Sequence, residues 1–333
     1  MFAKRNLPAS AIIALMAILT ISVGAQKRDD DQINARSRAA SSPGFRMFHK
    51  SFQIASASKP GFTTISVCPS CVTFVYGINE WGLISGAYFD GGFTGHGFFK
   101  NGDTYVTVDP PDSLFTECGR SSDAGNIVGD YFDANSGTAH PFVRNPDGSF
   151  SIRPGFPGAF ITFALGINQR GDIVGSHTDD PNGVTGWQGY VMRGNDFIRV
   201  VNYPGATTTS TYVLDINDDG TIVGAFKTTD PDVEHGFVLT PGGQYTQLDI
   251  PGSIQSEAYG INNSGDIVGR YRDAGGVDHG YLLRNGAVTT IDYTGPETYA
   301  WGVNSKGTVV GFSTDAPFGL SSGGFELPKA RKK

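Results

Sequence analysis

The sequence lacks most signatures of catalysis. It contains no His-Glu-x-x-His zinc motif, no phosphate-binding P-loop and no dinucleotide-binding fingerprint. Apolar residues nowhere recur at helical spacing over three turns, so helices are not predicted. Paired carboxylates for glycoside chemistry remain open, because the separation of two carboxylates depends on the fold. These absences favour a binding protein over an enzyme.

Cysteine is scarce, with three residues in the chain. Cys68 and Cys71 have the spacing of a redox or zinc motif, but no helix is readable to support a redox site, and Cys118 alone does not complete a zinc site. We predict a Cys68–Cys71 disulfide. Cys118 is predicted to be a buried free thiol, because the strand register separates it from Cys71 by about 13 Å, beyond disulfide reach.

Basic residues are few between residues 47 and 328, where 14 Lys and Arg stand against 29 Asp and Glu, a net charge of −15. This balance excludes nucleic acid as a partner, because phosphate binding requires positive charge. The acid-rich loops at 217–220 and 230–232 offer oxygen ligands for Ca²⁺, but neither has the spacing of a known calcium loop. We therefore predict no metal and no cofactor.

The apolar run near the N-terminus is short, covering the 13 residues 11–23. It follows Lys4 and Arg5, precedes a small-residue cleavage site, and is too short to span a bilayer. Residues 1–25 are predicted to be a signal peptide, so the protein is expected to be extracellular or periplasmic without further membrane attachment. Residues 26–45 are predicted to be a disordered linker and residues 329–333 a solvated basic tail.

What the sequence does contain is a repeat. The glycine of an Ile-Val-Gly element or a relative recurs with spacings of 43, 46, 49, 45 and 42 residues, at Gly86, Gly129, Gly175, Gly224, Gly269 and Gly311. Each period holds four short β-prone segments separated by Asn and Gly turns. This period is typical of a β-propeller blade. We predict an all-β, six-bladed β-propeller over residues 46–328, with residues 63–67 supplying the fourth strand of the C-terminal blade.

Two further elements keep the same register. A Gly-Ile-Asn element or a relative ends the first strand of each unit, and it degenerates to Arg120-Ser121-Ser122 in unit two. The third strand opens with a His-Gly-Phe element or a relative, at His96-Gly97-Phe98, His140-Pro141-Phe142, Gln188-Gly189-Tyr190, His235-Gly236-Phe237, His279-Gly280-Tyr281 and Gly323-Gly324-Phe325. This combination resembles the extracellular repeat family named HAF, over about residues 62–327. The resemblance implies a secreted repeat protein and assigns no activity.

The histidines that open the third strands are interpreted as structural. An Asp recurs at the end of the second strand, at Asp90, Asp133, Asp179, Asp273 and Asp315, with Asp230 two places late. The hairpin brings this Asp toward the His, where a hydrogen bond satisfies both groups. A metal site is not predicted, because the ring spreads these histidines over separate blades.

We predict a monomeric binding or scaffolding module that recognises a carbohydrate or a protein on one face. The alternative is an extracellular polysaccharide lyase or glycosidase on the same scaffold. No catalytic residue is predicted. Loops that depart from the repeat are the expected binding site, and the loops of unit three are longest, with Trp187 expected to present its ring. The candidate ligand-binding residues are Arg120, His177, Asp179, Asp180, Trp187 and Gln188.

Overall fold

The computed structural model describes residues 61–90, 94–181, 186–206, 210–228, 233–294, 297–314 and 322–328, and the backbone of residues 53–56. The predicted signal peptide (1–25), linker (26–45) and basic tail (329–333) lie outside these residues, as do Asp230 and Asp315. The described residues form strands and turns without a helix, so none of them belongs to a helix able to cross a membrane.

The described residues contain 25 strands, and from Val72 onward these follow one another in six antiparallel units. Two strands precede the units: β1 (Gln53–Ser56) and β2 (Thr63–Ile65). Unit one contains β3 (Val72–Ile78), β4 (Ile84–Phe89), β5 (Gly95–Asn101) and β6 (Thr104–Val108). Unit two contains β7 (Ser113–Ser121), β8 (Ile127–Asp133), β9 (Ala139–Arg144) and β10 (Phe150–Ile152). Unit three contains β11 (Ile161–Ile167), β12 (Asp172–Thr178), β13 (Gln188–Arg193) and β14 (Asp196–Val201). Unit four contains β15 (Thr211–Ile216), β16 (Ile222–Lys227), β17 (Glu234–Leu239) and β18 (Tyr245–Leu248). Unit five contains β19 (Ser253–Ile261), β20 (Ile267–Asp273), β21 (Asp278–Arg284) and β22 (Ala287–Ile291). Unit six contains β23 (Glu297–Val303), β24 (Val309–Thr314) and β25 (Ser322–Leu327).

The N-terminal strands add to the last two units. β2 lies antiparallel beside β25, with Ile65 opposite Gly324, and thereby gives unit six its fourth strand. β1 lies parallel to β22 at the outer edge of unit five, a pairing with no signal in the repeat pattern. Single parallel bridges join unit one to unit two and unit two to unit three.

The repeated glycine of the second strand is required by a close approach to the first strand. A Cβ atom at any of the six positions would lie 1.9–2.1 Å from a first-strand carbonyl oxygen. The aromatic ring of the third strand packs on the same spot; a Cβ at Gly269, for example, would lie 2.8 Å from the Tyr281 ring. The glycine and the aromatic residue therefore recur together, because only a residue without a side chain leaves room for both contacts.

The Asn that ends the Gly-Ile-Asn element has two functions. Its Oδ1 closes the turn between the first and second strands, and Asn262 accepts the N–H groups of Ser264 and Asp266, both at 2.9 Å. Its Nδ2 donates to the backbone carbonyl at the equivalent position of the next unit. These bonds run from Asn79 to Ser122 (3.0 Å), Asn168 to Asn217 (3.3 Å), Asn217 to Asn262 (3.3 Å), Asn262 to Asn304 (3.0 Å) and Asn304 to Asn79 (3.2 Å). The last bond joins unit six to unit one.

The sulfur predictions are confirmed. Cys68 and Cys71 form a disulfide, and Cys118 is a buried free thiol. Burial raises the pKa of the Cys118 thiol, which keeps it protonated and unreactive.

The predicted Asp–His hydrogen bond is present between Asp273 and His279, at 3.4 Å. The corresponding distances of 3.8 Å in His96–Asp90 and 3.9 Å in His140–Asp133 are too long for a hydrogen bond. A shorter contact from the end of the fourth strand was missed. It joins His96 to Asp109 (2.7 Å), His235 to Asp249 (2.8 Å) and His279 to Asp292 (2.7 Å). His96, His235 and His279 therefore each join the start of the third strand to the end of the fourth strand.

Removing β2 is expected to destabilise unit six, because the unpaired edge of β25 would be exposed and the fully buried Ile65 lost. Burial of one such side chain contributes about 1.5–3 kcal/mol. A chain beginning at residue 68 should melt at least about 5 °C below a matched chain beginning at residue 61, measured by differential scanning calorimetry. Equal melting temperatures would show that β2 does not contribute to stability.

Candidate functional site

One depression is shared by all six units. The middle residue of the Gly-Ile-Asn element contributes to it from every unit, as Ile78, Ser121, Ile167, Ile216, Ile261 and Val303. Its cavity volume is about 50 Å³. A depression bordered by the same position of each unit lies where the six first strands meet, so it marks the centre of the arrangement.

Arg120 and Asp215 lie at this centre, one position before Ser121 and Ile216 in the first strands. Arg120 Nε lies 3.2 Å from Asp215 Oδ2, and Arg120 Nη2 donates to the carbonyl oxygens of Tyr259 (3.0 Å) and Trp301. Both charged side chains are buried. Burial raises the pKa of Asp215 and lowers that of Arg120, and their mutual attraction offsets each shift only in part. The pair is thus costly to desolvate and depends on both members.

The other four units carry glycine at this position, as Gly77, Gly166, Gly260 and Gly302. A Cβ on Gly260 would lie 2.2 Å from Arg120 Nη2, and one on Gly302 would lie 2.6 Å from Nη1. Arg120 therefore reaches across the centre only because the opposite units lack a side chain. Arg120 is thus one of the residues that line the central depression. Its polar contacts lie in units four, five and six, however, and not among the predicted residues of unit three.

Acidic residues border the mouth of the depression. Backbone N–H groups of one unit donate to the side chains of the next, from Ser305 to Glu80 (2.9 Å), Glu80 to Asp123 (3.0 Å), Gln169 to Asp218 (2.8 Å) and Asp218 to Asn263 (2.9 Å). Burial raises the pKa of Asp123, and the nearby carboxylates of Glu80 and Asp218 add to the shift. The mouth is therefore lined by side-chain oxygen acceptors whose positions are fixed by these hydrogen bonds.

Two further side chains distinguish this region. The Ser121 hydroxyl stands where five units have Ile or Val, is 8% exposed, and has no hydrogen-bond partner among the described residues. Trp81 follows Glu80 in the first turn of unit one and is 75% exposed. The ammonium group of Lys306 lies 5.8 Å from the centre of its ring. Neither residue was singled out from the sequence, although Trp81 interrupts a polar turn.

The predicted site in unit three receives a correction. Trp187 is completely buried and stacks on Phe163 at a centroid distance of 5.3 Å, so its ring has no face for a ligand. His177 is buried and stacks on Phe156 at 3.6 Å. Burial lowers the pKa of His177 to about 4. Asp179 is exposed, Asp180 and Gln188 are half-buried, and a ligand-binding role for these three stays a prediction.

No protein-family model and no curated protein matches the chain. Among solved structures, a streptogramin B lyase is 13% identical, covers 80% of this chain and 98% of its own, and has a TM-score of 0.47. The Aleuria aurantia lectin is 11% identical, covers 79% of this chain and 94% of its own, and has a TM-score of 0.48. The SapL1 lectin with α-methyl fucoside is 10% identical, covers 72% of this chain and 87% of its own, and has a TM-score of 0.48. These are proteins of the β-propeller type. Such identities transfer no residue roles to this chain.

Two charged pairs lie away from the depression, at equivalent positions of units two and five. Glu117 faces Asp130 across β7 and β8, and Glu257 faces Arg270 across β19 and β20. Burial raises the pKa of Glu117 to about 7; burial and the Glu117 charge raise that of Asp130 well above its usual range. In unit five, burial acts to raise the pKa of Glu257, but the Arg270 charge and the hydrogen bonds with Glu234, Tyr259 and Arg270 together lower it. Alignment of the units gives a signal for both pairs, because four units have Phe or Tyr where Glu117 and Glu257 stand.

One catalytic pattern occurs without its structural context. Residues 319–323 read Gly-Leu-Ser-Ser-Gly, the pattern of a nucleophile elbow. That elbow lies between a strand and a helix, whereas here the strand β25 begins at Ser322. Residues 315–321 lie outside the described part of the chain. Within that part, no group of three or more His, Cys, Asp or Glu side chains is placed to hold a metal ion.

Arg120→Ala is expected to destabilise the protein by about 3–5 kcal/mol, because it leaves the Asp215 carboxylate buried without its counter-charge. The double variant Arg120→Ala/Asp215→Ala should lose at least about 1 kcal/mol less than the sum of the two single losses. Urea unfolding of the four proteins measures this coupling. Additive losses would mean that the two side chains act independently.

The Glu117–Asp130 pair predicts a pH dependence in metal-free buffer. Both raised pKa values mean that the folded state holds more protons than the unfolded state from about pH 4 to pH 7, so stability falls as the pH rises through this window. The ionisable groups that shift the two pKa values are Tyr76, which acts on Glu117, and Glu117, which acts on Asp130, and neither is cationic. Asp130→Asn should therefore stabilise the protein at pH 8 by about 1 kcal/mol or more and reduce the slope, while the burial-raised pKa of Glu117 keeps part of it.

The control for this experiment is Asp147→Asn. Asp147 is exposed and has a lowered pKa through its hydrogen bonds with Ser149, so its removal should leave the slope in place. Unfolding free energies at pH 4.5, 6 and 8 give the comparison. An unchanged slope in Asp130→Asn would show that the pair does not titrate in this range.

Proposed function

We propose that the protein is a secreted ligand-binding module, built as a six-bladed β-propeller, and that it binds a carbohydrate at the central depression. The observation that carries the proposal is the depression itself. All six units contribute to it at one position of the repeat, and the repeat departs from its pattern there through Arg120, Ser121 and Asp215. Function is local to such departures, because the repeated residues are already used to hold the units together.

The ring of six blades is supported by contacts between the first and last units. The Asn304 side chain donates to the Asn79 carbonyl at 3.2 Å, and the Ser305 N–H donates to Glu80 at 2.9 Å. The pairing of β2 with β25 ties the N-terminal segment into unit six. A propeller closed in this way leaves few open sheet edges. Secretion rests on the predicted signal peptide and on the resemblance to HAF repeats.

The chemistry around the depression favours a sugar. Trp81 offers an exposed aromatic face of the kind that stacks on a pyranose ring, and the adjacent Glu80 and Asp123 carboxylates accept hydrogen bonds from hydroxyl groups. The unpartnered Ser121 hydroxyl supplies one further polar contact inside. A neutral polyol satisfies these groups without bringing a second negative charge to an acidic mouth.

The alternative is a polysaccharide lyase or glycosidase that uses the channel. Glu117 favours it, since a partly exposed carboxyl with a pKa of about 7 suits a general acid. Product formation from a polysaccharide that the protein binds, lost in Glu117→Gln, would establish the enzyme. Binding without turnover supports the module.

The proposal predicts that Trp81→Ala lowers carbohydrate affinity at least tenfold, about 1.4 kcal/mol, with an unchanged melting temperature. The measurement is a glycan array followed by titration calorimetry with the best glycan. Trp81→Phe should retain most of the affinity, because it keeps an aromatic face.

Asp179→Ala is the matched control, since this exposed acid lies in the unit-three sector predicted from the sequence. Loss of binding in Asp179→Ala with none in Trp81→Ala would move the site to that sector. If the protein binds a protein ligand at this site and no glycan, the proposed site stands and the proposed ligand class is wrong.

A further inference from the structure

Glu117 and Asp130 have a geometry in which both carboxyl groups can be ionised only if a compensating positive charge lies beside them. The two residues are direct partners across β7 and β8. Their side chains therefore leave the same face of the sheet, with Cβ atoms about 4.5–5.5 Å apart. Like charges so placed repel each other, and the repulsion grows where water is excluded.

Asp130 is enclosed and unsatisfied. It is 0% exposed, and neither carboxylate oxygen has a hydrogen-bond partner among the described residues. The Ala164 N–H of unit three is near enough to lower its pKa but does not meet hydrogen-bond geometry. Glu117 is half-buried and accepts a hydrogen bond from the Tyr76 hydroxyl at 3.1 Å. Buried oxygens without a donor require an occupant that is not part of these contacts.

Unit five shows how the same positions are neutralised elsewhere in the molecule. Its register partners are Glu257 and Arg270, and Arg270 also pairs with Asp278 at 2.8 Å and lies 3.7 Å from Glu234. The remaining four units hold uncharged pairs here, Phe74 and Ala87, Phe163 and Ser176, Tyr212 and Ala225, and Tyr299 and Phe312. Unit two alone therefore has acids at both positions, one buried and one half-buried, and no cation beside them in the described structure.

We propose that Glu117 and Asp130 bind a divalent metal cation between units one, two and three. Two carboxylates match a double positive charge, and carboxylate and phenol oxygens are hard donors that suit Mg²⁺ or Ca²⁺. Protein side chains supply only part of the coordination shell, and water completes it on the half-buried Glu117 side, as is usual for Mg²⁺. This site is independent of the carbohydrate proposal.

The test is titration calorimetry of the full mature chain, freed of metal by a chelator, with Mg²⁺ and with Ca²⁺. One equivalent of at least one of them should bind and raise the melting temperature. Asp130→Asn should weaken this binding at least tenfold. Asp130→Arg places a guanidinium where unit five has Arg270; it should abolish binding and melt as high as the cation-loaded native protein.

Asp219→Asn controls for loss of a general acidic charge and should bind as the native protein does. Three results would overturn the proposal: no response of the native protein to either cation, binding that survives Asp130→Asn, or a stability that depends on pH alone. The last result would mean that the two carboxylates share a proton. Because Asp130→Asn is nearly isosteric, the test stands even where Asp130→Arg fails to fold.

Discussion

The structure depends on the side-chain amide of one repeated Asn. In unit five, Asn262 closes its own turn with Oδ1 and reaches the next unit with Nδ2. Because one planar group makes both contacts, the position of each turn fixes the position of the neighbouring unit. The first strands are thereby held at one height around the centre, which is why a single depression is bordered by the same residue of every unit.

The centre is asymmetric because unit two has lost this element. Ser122 replaces Asn and has no amide with which to reach Asn168, so in the described bonds the step from unit two to unit three is absent. In the same unit Arg120 replaces glycine and crosses to Asp215 in unit four. This ion pair joins units two and four across the centre and does not replace the missing bond between units two and three. The departure from the repeat thereby places charged groups inside the depression.

Much of the fold could be predicted from the sequence because its causes are local. The Asn and Gly turns, the alternation within strands and the 45-residue period follow from backbone chemistry, and the fate of all three cysteines followed from register. The strand register also determines the fourth-strand Asp partners of the histidines, which were not predicted. Because Gly97 pairs with Val108, His96 lies beside Asp109. The burial of Trp187 could not be predicted, because the length of a loop does not show which way its side chains point. The Trp187 ring points inward and stacks on Phe163, a residue of another strand.

Units two and five solve one electrostatic problem in different ways. Each places a glutamate where the other units have an aromatic ring, within a core that strongly disfavours an isolated charge. In unit five, Arg270 pairs with this glutamate and balances its charge. The acids around Arg270 raise its pKa, so Arg270 stays charged at any physiological pH. Unit two places a second acid, Asp130, opposite the first, and burial raises the pKa of both carboxyl groups. The same scaffold therefore holds one sector in which an arginine of the chain neutralises the buried acid, and one in which no cationic side chain among the described residues does so. The second of these is unit two, where the Asn element is also lost.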